Sequence, residues 1–112
     1  MIFKYERHIR AIEYALNIIR NSRFAPYCRG VYLFGSCARH TERFNSDIDL
    51  LLVVDNDAYD FLKPFIRQLI VDVEEPNIHA AEADLKVVSQ SMLDNSTNNF
   101  LRSIKTYMIR IM

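Results

Sequence analysis

Val31-Tyr32-Leu33-Phe34-Gly35-Ser36-Cys37-Ala38-Arg39 and, a few residues on, Ser46-Asp47-Ile48-Asp49-Leu50-Leu51-Leu52-Val53-Val54 are the two stretches on which the fold turns. Residues 31–34 form a short apolar run bounded by Gly30 and Gly35, the pattern of a buried strand. Residues 47–54 make a second, stronger strand, with the breaker Asn45-Ser46 before it and the turn Asp55-Asn56-Asp57 after it. Between the two, residues 37–43 suit a short helix or turn. Side chains two apart on a strand share a face, so Asp47 and Asp49 project together while Ile48 and Leu50 face the other way.

Outward from this pair the pattern alternates. Over residues 4–20, Ile9, Ile12, Leu16 and Ile19 recur at helical spacing, with Glu6, Arg7, Arg10 and Glu13 at polar positions. This helix is expected to end near Asn21-Ser22, ahead of Pro26. Residues 58–73 read as another helix with Phe61, Phe65, Leu69 and Val73 in its buried stripe and a bend or start at Pro64. Residues 84–88 read as a third strand. Residues 95–99 are polar and suit a loop or helix start. The tail combines a helix over residues 100–105 with a short edge strand in which Tyr107, Ile109 and Ile111 alternate. Helices interleaved with at least three strands predict a small α/β (α+β) domain spanning residues 1–112, its helices packed on a mixed sheet.

Composition narrows the function. A chain of 112 residues, half hydrophobic and one quarter charged, has the balance of an ordinary globular domain. It leaves little room for a separate acceptor-binding domain. Fourteen basic residues balance fourteen acidic ones, which argues against a grip on long nucleic acid. Cys28 and Cys37 lie in no CxxC or Cys/His cluster, which disfavours structural zinc and a disulfide alike. Met1-Ile2-Phe3-Lys4-Tyr5-Glu6-Arg7 carries charges where a leader peptide needs apolar residues. No apolar run approaches the roughly 20 residues of a membrane span. A cytoplasmic location and no membrane partner are the expectations.

The polar residues at the strand ends carry the chemistry. Two carboxylates about 4 Å apart at an effective dielectric near 20 repel by about 4 kcal/mol. Such a pair calls for a proton, a basic partner or a metal ion. Hard oxygen donors of this kind suit Mg²⁺, and Asp84, early in the third strand, completes an acidic set of Asp47, Asp49 and Asp84. Glu82 competes with Asp84 for that role. Two ions about 3.5–4 Å apart would clamp an in-line phosphoryl displacement. Gly35 lets a phosphate approach the main chain, and Ser36 adds a hydroxyl and an amide. A helix beginning after Ser36 would favour an anion at its N-terminus. Arg39 brings a guanidinium to the same phosphates, or else pairs with Glu42 or Asp47 on the surface.

Gly35-Ser36, ten intervening residues, then Asp47-Ile48-Asp49 resembles the signature of the DNA polymerase beta-like nucleotidyltransferase superfamily. The fuller string Gly35-Ser36-Cys37-Ala38-Arg39 with Ser46-Asp47-Ile48-Asp49-Leu50 is similar to its minimal nucleotidyltransferase branch. The resemblance is close over residues 31–54 and looser from the first helix to the tail. It implies transfer of a nucleoside monophosphate, AMP from ATP in the first instance, onto a protein or small-molecule acceptor with loss of pyrophosphate. The matching Gly35 and Ser36 would hold triphosphate, Asp47 and Asp49 would bind Mg²⁺, and a third carboxylate would help activate the acceptor. Minimal members often pair with a small helical HEPN protein as toxin and antitoxin. The alternative function is therefore an antitoxin-type binding module that neutralises such a partner with weak or no catalysis. Homo-oligomer formation is left open.

His40 stands where that branch usually has glycine. It is read either as a surface residue or as a second phosphate contact. His8 and His79 are expected on the surface. Cys37 has no assigned role, Phe61, Phe65 and Leu69 are assigned to the core, and the tyrosines, Tyr107 among them, are read as packing residues with polar tips.

Overall fold

The run of seven residues Ile48–Val54 becomes the central strand because six of its side chains are apolar and both sheet faces are covered. In the computed structural model, which describes residues 3–77, 79–95 and 98–112, this strand is β2 of a four-stranded sheet. β1 (Cys28–Phe34) lies antiparallel to one side of it, and β3 (Ala83–Ser89) lies parallel to the other. β4 (Ile109–Arg110) pairs antiparallel with the outer edge of β1, which gives the order β3-β2-β1-β4. The expected mixed sheet with helices packed on it is what forms.

Alternation along β2 divides the core in two. Ile48, Leu50, Leu52 and Val54 face α1 (Glu6–Arg20), α3 (Asn56–Leu62) and α4 (Ile66–Asp72), the connection between the two parallel strands. Leu51 and Val53 face the opposite layer, formed by α5 (Gln90–Asp94) and α6 (Asn99–Lys105) through Leu93, Leu101 and Ile104. α5 is capped by Ser89, whose hydroxyl accepts from the Met92 amide at 3.2 Å, and α6 by the Asn98 carboxamide.

Several sequence expectations shift. The first helix starts at Glu6 and buries His8, Ala11, Ile12, Ala15, Leu16 and Ile19, with Ile9 only half-buried. The short helix expected within residues 37–43 begins earlier: α2 spans Gly35–Ala38, a single turn. Phe61 and Phe65 are not core residues, being 52 % and 37 % exposed. A 3-10 turn at Lys63–Phe65, built around Pro64, separates α3 from α4, and the stripe that meets the sheet is Ala58, Leu62, Leu69 and Val73. Phe61 instead packs edge-on to Tyr27, and Phe65 lies beneath the Arg23 guanidinium. The tail does form a helix followed by a short strand. Of the polar stretch 95–99, Ser96 and Thr97 lie outside the described residues.

Candidate active site

Backbone register sets the geometry. Phe34, the last residue of β1, stands opposite Asp49 of β2, and Asp49 stands beside Asp84 of β3. The end of one strand and the starts of two others thus meet in one row. Asp49 shares the α5–α6 face with Leu51, and Asp84 shares it with Val88. Asp47 lies just ahead of β2 and is exposed. Glu82 precedes β3; its main-chain carbonyl accepts from the Ile48 amide at 2.9 Å, while its side chain is exposed. The register thus puts Asp84, and not Glu82, directly beside Asp49.

Gly35 directly follows Phe34 and has φ +70, a backbone region that favours glycine. A Cβ placed on Gly35 would stand 2.1 Å from Asp49 Oδ2. The absent side chain leaves the space that the Asp49 carboxylate fills, so the loop and the acidic row are one site. Sequence reasoning assigned Gly35 to phosphate approach; the contact with Asp49 is a second demand on the same residue. α2 is only one turn long, so its dipole adds little to anion binding.

Burial raises the Asp49 carboxyl to about 6, with repulsion from Asp84 and then Asp47 adding to it and Lys86 opposing it. Lys86, two residues after Asp84 on the same face, places Nζ 3.5 Å from Asp84 Oδ2. Sequence reasoning missed this lysine, although its i+2 spacing from Asp84 is visible in the chain. The donors offered here are carboxylate oxygens, and the charge on Asp49 is only partly compensated. That chemistry fits a hard divalent cation such as Mg²⁺. Among the described residues, however, no three His, Cys, Asp or Glu side chains are already gathered as a ligand group.

Two further groups converge on the loop. The Gly35 amide donates to the Tyr107 hydroxyl at 3.3 Å, and the Arg39 guanidinium lies 4.1 Å from the centre of the Tyr107 ring. Arg39 thus takes neither of the surface pairings with Glu42 or Asp47; Arg10–Glu75, Arg29–Asp55 and Lys86–Asp84 are the ion pairs among the described residues. His8 is not a surface residue: it is wholly buried on α1, with Nε2 2.8 Å from the Ser46 carbonyl. It ties α1 to the segment that leads into Asp47. Its single sequence clue is position, three residues before Ala11 and four before Ile12 on the buried face. His79 is exposed as expected.

His40 is exposed and has φ 60, so the residue in the branch's glycine position keeps a glycine-like backbone. Cys37 is buried, and its thiol is pushed up to about 11 by burial, then by Glu42 and Asp49. It is a packing residue, not a nucleophile.

A family model described as polymerase beta nucleotidyltransferase matches residues 17–105, well over half of the chain. Among solved structures, a candidate nucleotidyltransferase from Sulfolobus solfataricus overlays with a TM-score of 0.61 at 22% identity, covering 94% of this chain and 82% of its own. A toxin–antitoxin structure with AMP-PNP overlays with a TM-score of 0.45 at 22% identity, covering 88% of this chain and 69% of its own. No curated protein sequence matches the chain. No helix among the described residues is long and apolar enough to cross a membrane.

Proposed function

The chain belongs to the polymerase beta nucleotidyltransferase family, and from that premise we propose that it moves AMP from ATP onto a protein or small-molecule acceptor. The whole of residues 1–112 acts in this reading as one catalytic domain. The acceptor's oxygen forms a bond to the α-phosphorus, the bond from that phosphorus to the bridging oxygen breaks, and pyrophosphate departs. Gly35 and Ser36 bind the triphosphate through main-chain amides and the Ser36 hydroxyl, and Arg39 neutralises phosphate charge. Asp47 and Asp49 would hold Mg²⁺, with Asp84 completing the set. Bound there, Mg²⁺ would offset the charge that accumulates on the phosphates. Asp84, exposed at the rim and facing Lys86, takes the acceptor's proton.

The observation that carries this reading is that the Asp49 carboxylate fills the space a side chain on Gly35 would occupy, which sets the proposed phosphate loop against the acidic row. The test is titration calorimetry with ATP and Mg²⁺ on the wild type and on Asp47→Ala/Asp49→Ala. Mg²⁺-dependent binding that the double variant loses is expected. Equal binding by both proteins would refute the assignment.

A second reading, a binding module that neutralises a helical protein partner, is favoured by the exposed apolar surface of α3 and α4. Phe61 and Val71 are 52 % and 61 % exposed there. Phe61→Ser/Val71→Ser should then abolish co-purification with the protein encoded beside this chain, while ATP binding persists. Co-purification that survives the double substitution would remove this reading.

A further inference from the structure

We infer that Tyr107 is a positioning residue for the nucleotide loop, its ring presenting Arg39 and its hydroxyl holding the Gly35 amide. The inference rests on the nucleotide reading of Gly35, Ser36 and Arg39 and adds to it a residue from the far end of the chain.

Tyr107 lies just beyond α6, after its C-cap Thr106. Its amide donates to the Ile104 carbonyl at 3.1 Å, which continues the helical turn and fixes where the side chain leaves the backbone. The ring is half-buried and packs against the residues of both core layers. It is therefore anchored to the sheet rather than free in solvent. From there the hydroxyl accepts from Gly35 at 3.3 Å, and the ring face meets Arg39 at 4.1 Å. Two of the three proposed phosphate donors, Gly35 at the start of α2 and Arg39 just after its end, touch this one side chain.

An exposed arginine ordinarily samples many rotamers, and confinement on an aromatic face removes most of that freedom before ligand arrives. Arg39 in this arrangement is preorganised for phosphate. The Gly35 amide, meanwhile, is held to an acceptor oxygen until a phosphate oxygen replaces it. No ion pair among the described residues competes for Arg39. The consequence is specific: Tyr107 should affect affinity in proportion to the phosphates on the ligand and not through the nucleoside.

The test is a double-mutant cycle between Tyr107→Leu and Arg39→Ala, with binding of ATP and of adenosine measured with Mg²⁺ present. Tyr107→Leu should weaken ATP about fivefold and leave adenosine unchanged, the range expected for losing a cation–π contact. In the Arg39→Ala background the same substitution should have little further effect. Tyr107→Phe keeps the ring and should restore most of the ATP affinity. In the ligand-free protein, the Arg39 Nε–H proton resonance should lose its ring-current shift in Tyr107→Leu and keep it in Tyr107→Phe. Equal losses for ATP and adenosine, or additive losses with Arg39→Ala, would overturn the inference while the nucleotide reading stood. A wild-type chain that binds no ATP would overturn both together.

Discussion

Asn in place of Asp49 should make the protein more stable at neutral pH, even as it removes the residue on which the proposed metal site depends. The folded-state carboxyl sits at about 6 against an ordinary value of 3.8. Between those values the folded chain binds more protons than the unfolded chain, so stability falls as pH rises through that window. The loss is complete above about pH 6 and absent below about pH 4. A shift of roughly two units corresponds to about 3 kcal/mol. Asp49 is only half-buried, and solvent screening brings the expected loss to about 1.5 kcal/mol. Asp49→Asn keeps the shape beside Gly35 and removes the charge, so it should recover that amount at pH 7.5 and nothing at pH 4. Urea denaturation of both proteins from pH 4 to pH 8.5 reads the difference directly. A difference that is constant across pH, or an Asn variant less stable at pH 8, would refute the electrostatic account. Mg²⁺ supplies the complementary check: it should raise the wild-type midpoint at pH 7.5 and leave that of Asp49→Asn nearly unmoved.

Gly35→Ala should cost at least about 2 kcal/mol by urea denaturation, since it combines an alanine at φ +70 with a Cβ driven into Asp49 Oδ2; a loss under half of that would show that the carboxylate swings clear without penalty. His40→Gly should gain about 0.5–1 kcal/mol, the left-handed penalty of His40 less the greater unfolded-state entropy of glycine, and a lower thermal midpoint than wild type would contradict it. His8→Leu keeps the volume roughly constant but leaves the Ser46 carbonyl unpaired near the site. It should destabilise by about 1–3 kcal/mol, and an unchanged denaturation midpoint would show the bond to be dispensable.

The fold was legible where one rule sufficed. A bounded apolar run marks β1, an eight-residue apolar-rich segment marks β2, and 3.6-residue periodicity marks α1, because burial on one face or two leaves a local imprint on composition. Phe61 and Phe65 were misplaced because one unbroken helical phase does not run from 58 to 73. Leu69 and Val73 hold the expected stripe, but the 3-10 turn at Lys63–Phe65 breaks the phase before them, so α3 turns Ala58 and Leu62 to the sheet instead of Phe61. At the site, Gly35, Ser36 and the aspartates were readable because they are close in sequence and fixed in spacing. Tyr107 was not, since it reaches Gly35 across 72 residues, and nothing in an alternating tail distinguishes it from Ile109 or Ile111. His8 was hidden for a related reason: a histidine on an apolar face looks the same whether it is merely tolerated or bonded to a distant carbonyl.

The conflict between the site and the fold runs through three residues. Asp49 is held where burial and two other carboxylates oppose its charge. Gly35 adopts φ +70 and gives up its side-chain space to that carboxylate. His40, five residues on, holds φ 60 without being glycine. Each would be easily relieved by a different residue, and the sheet, whose central strand is almost wholly buried, is what tolerates all three. Strain gathered in this way at one end of a well-packed sheet marks where selection has acted on something other than stability. It follows that charge relief and backbone relief should separate: Asp49→Asn should gain stability only above about pH 6, and His40→Gly should gain it at every pH. Combining the two should give additive gains at pH 7.5, since one removes a charge and the other a torsional penalty. A shortfall from additivity would mean that the loop at His40 is strained because Asp49 is charged, which would make the loop itself responsive to whatever neutralises the acidic row.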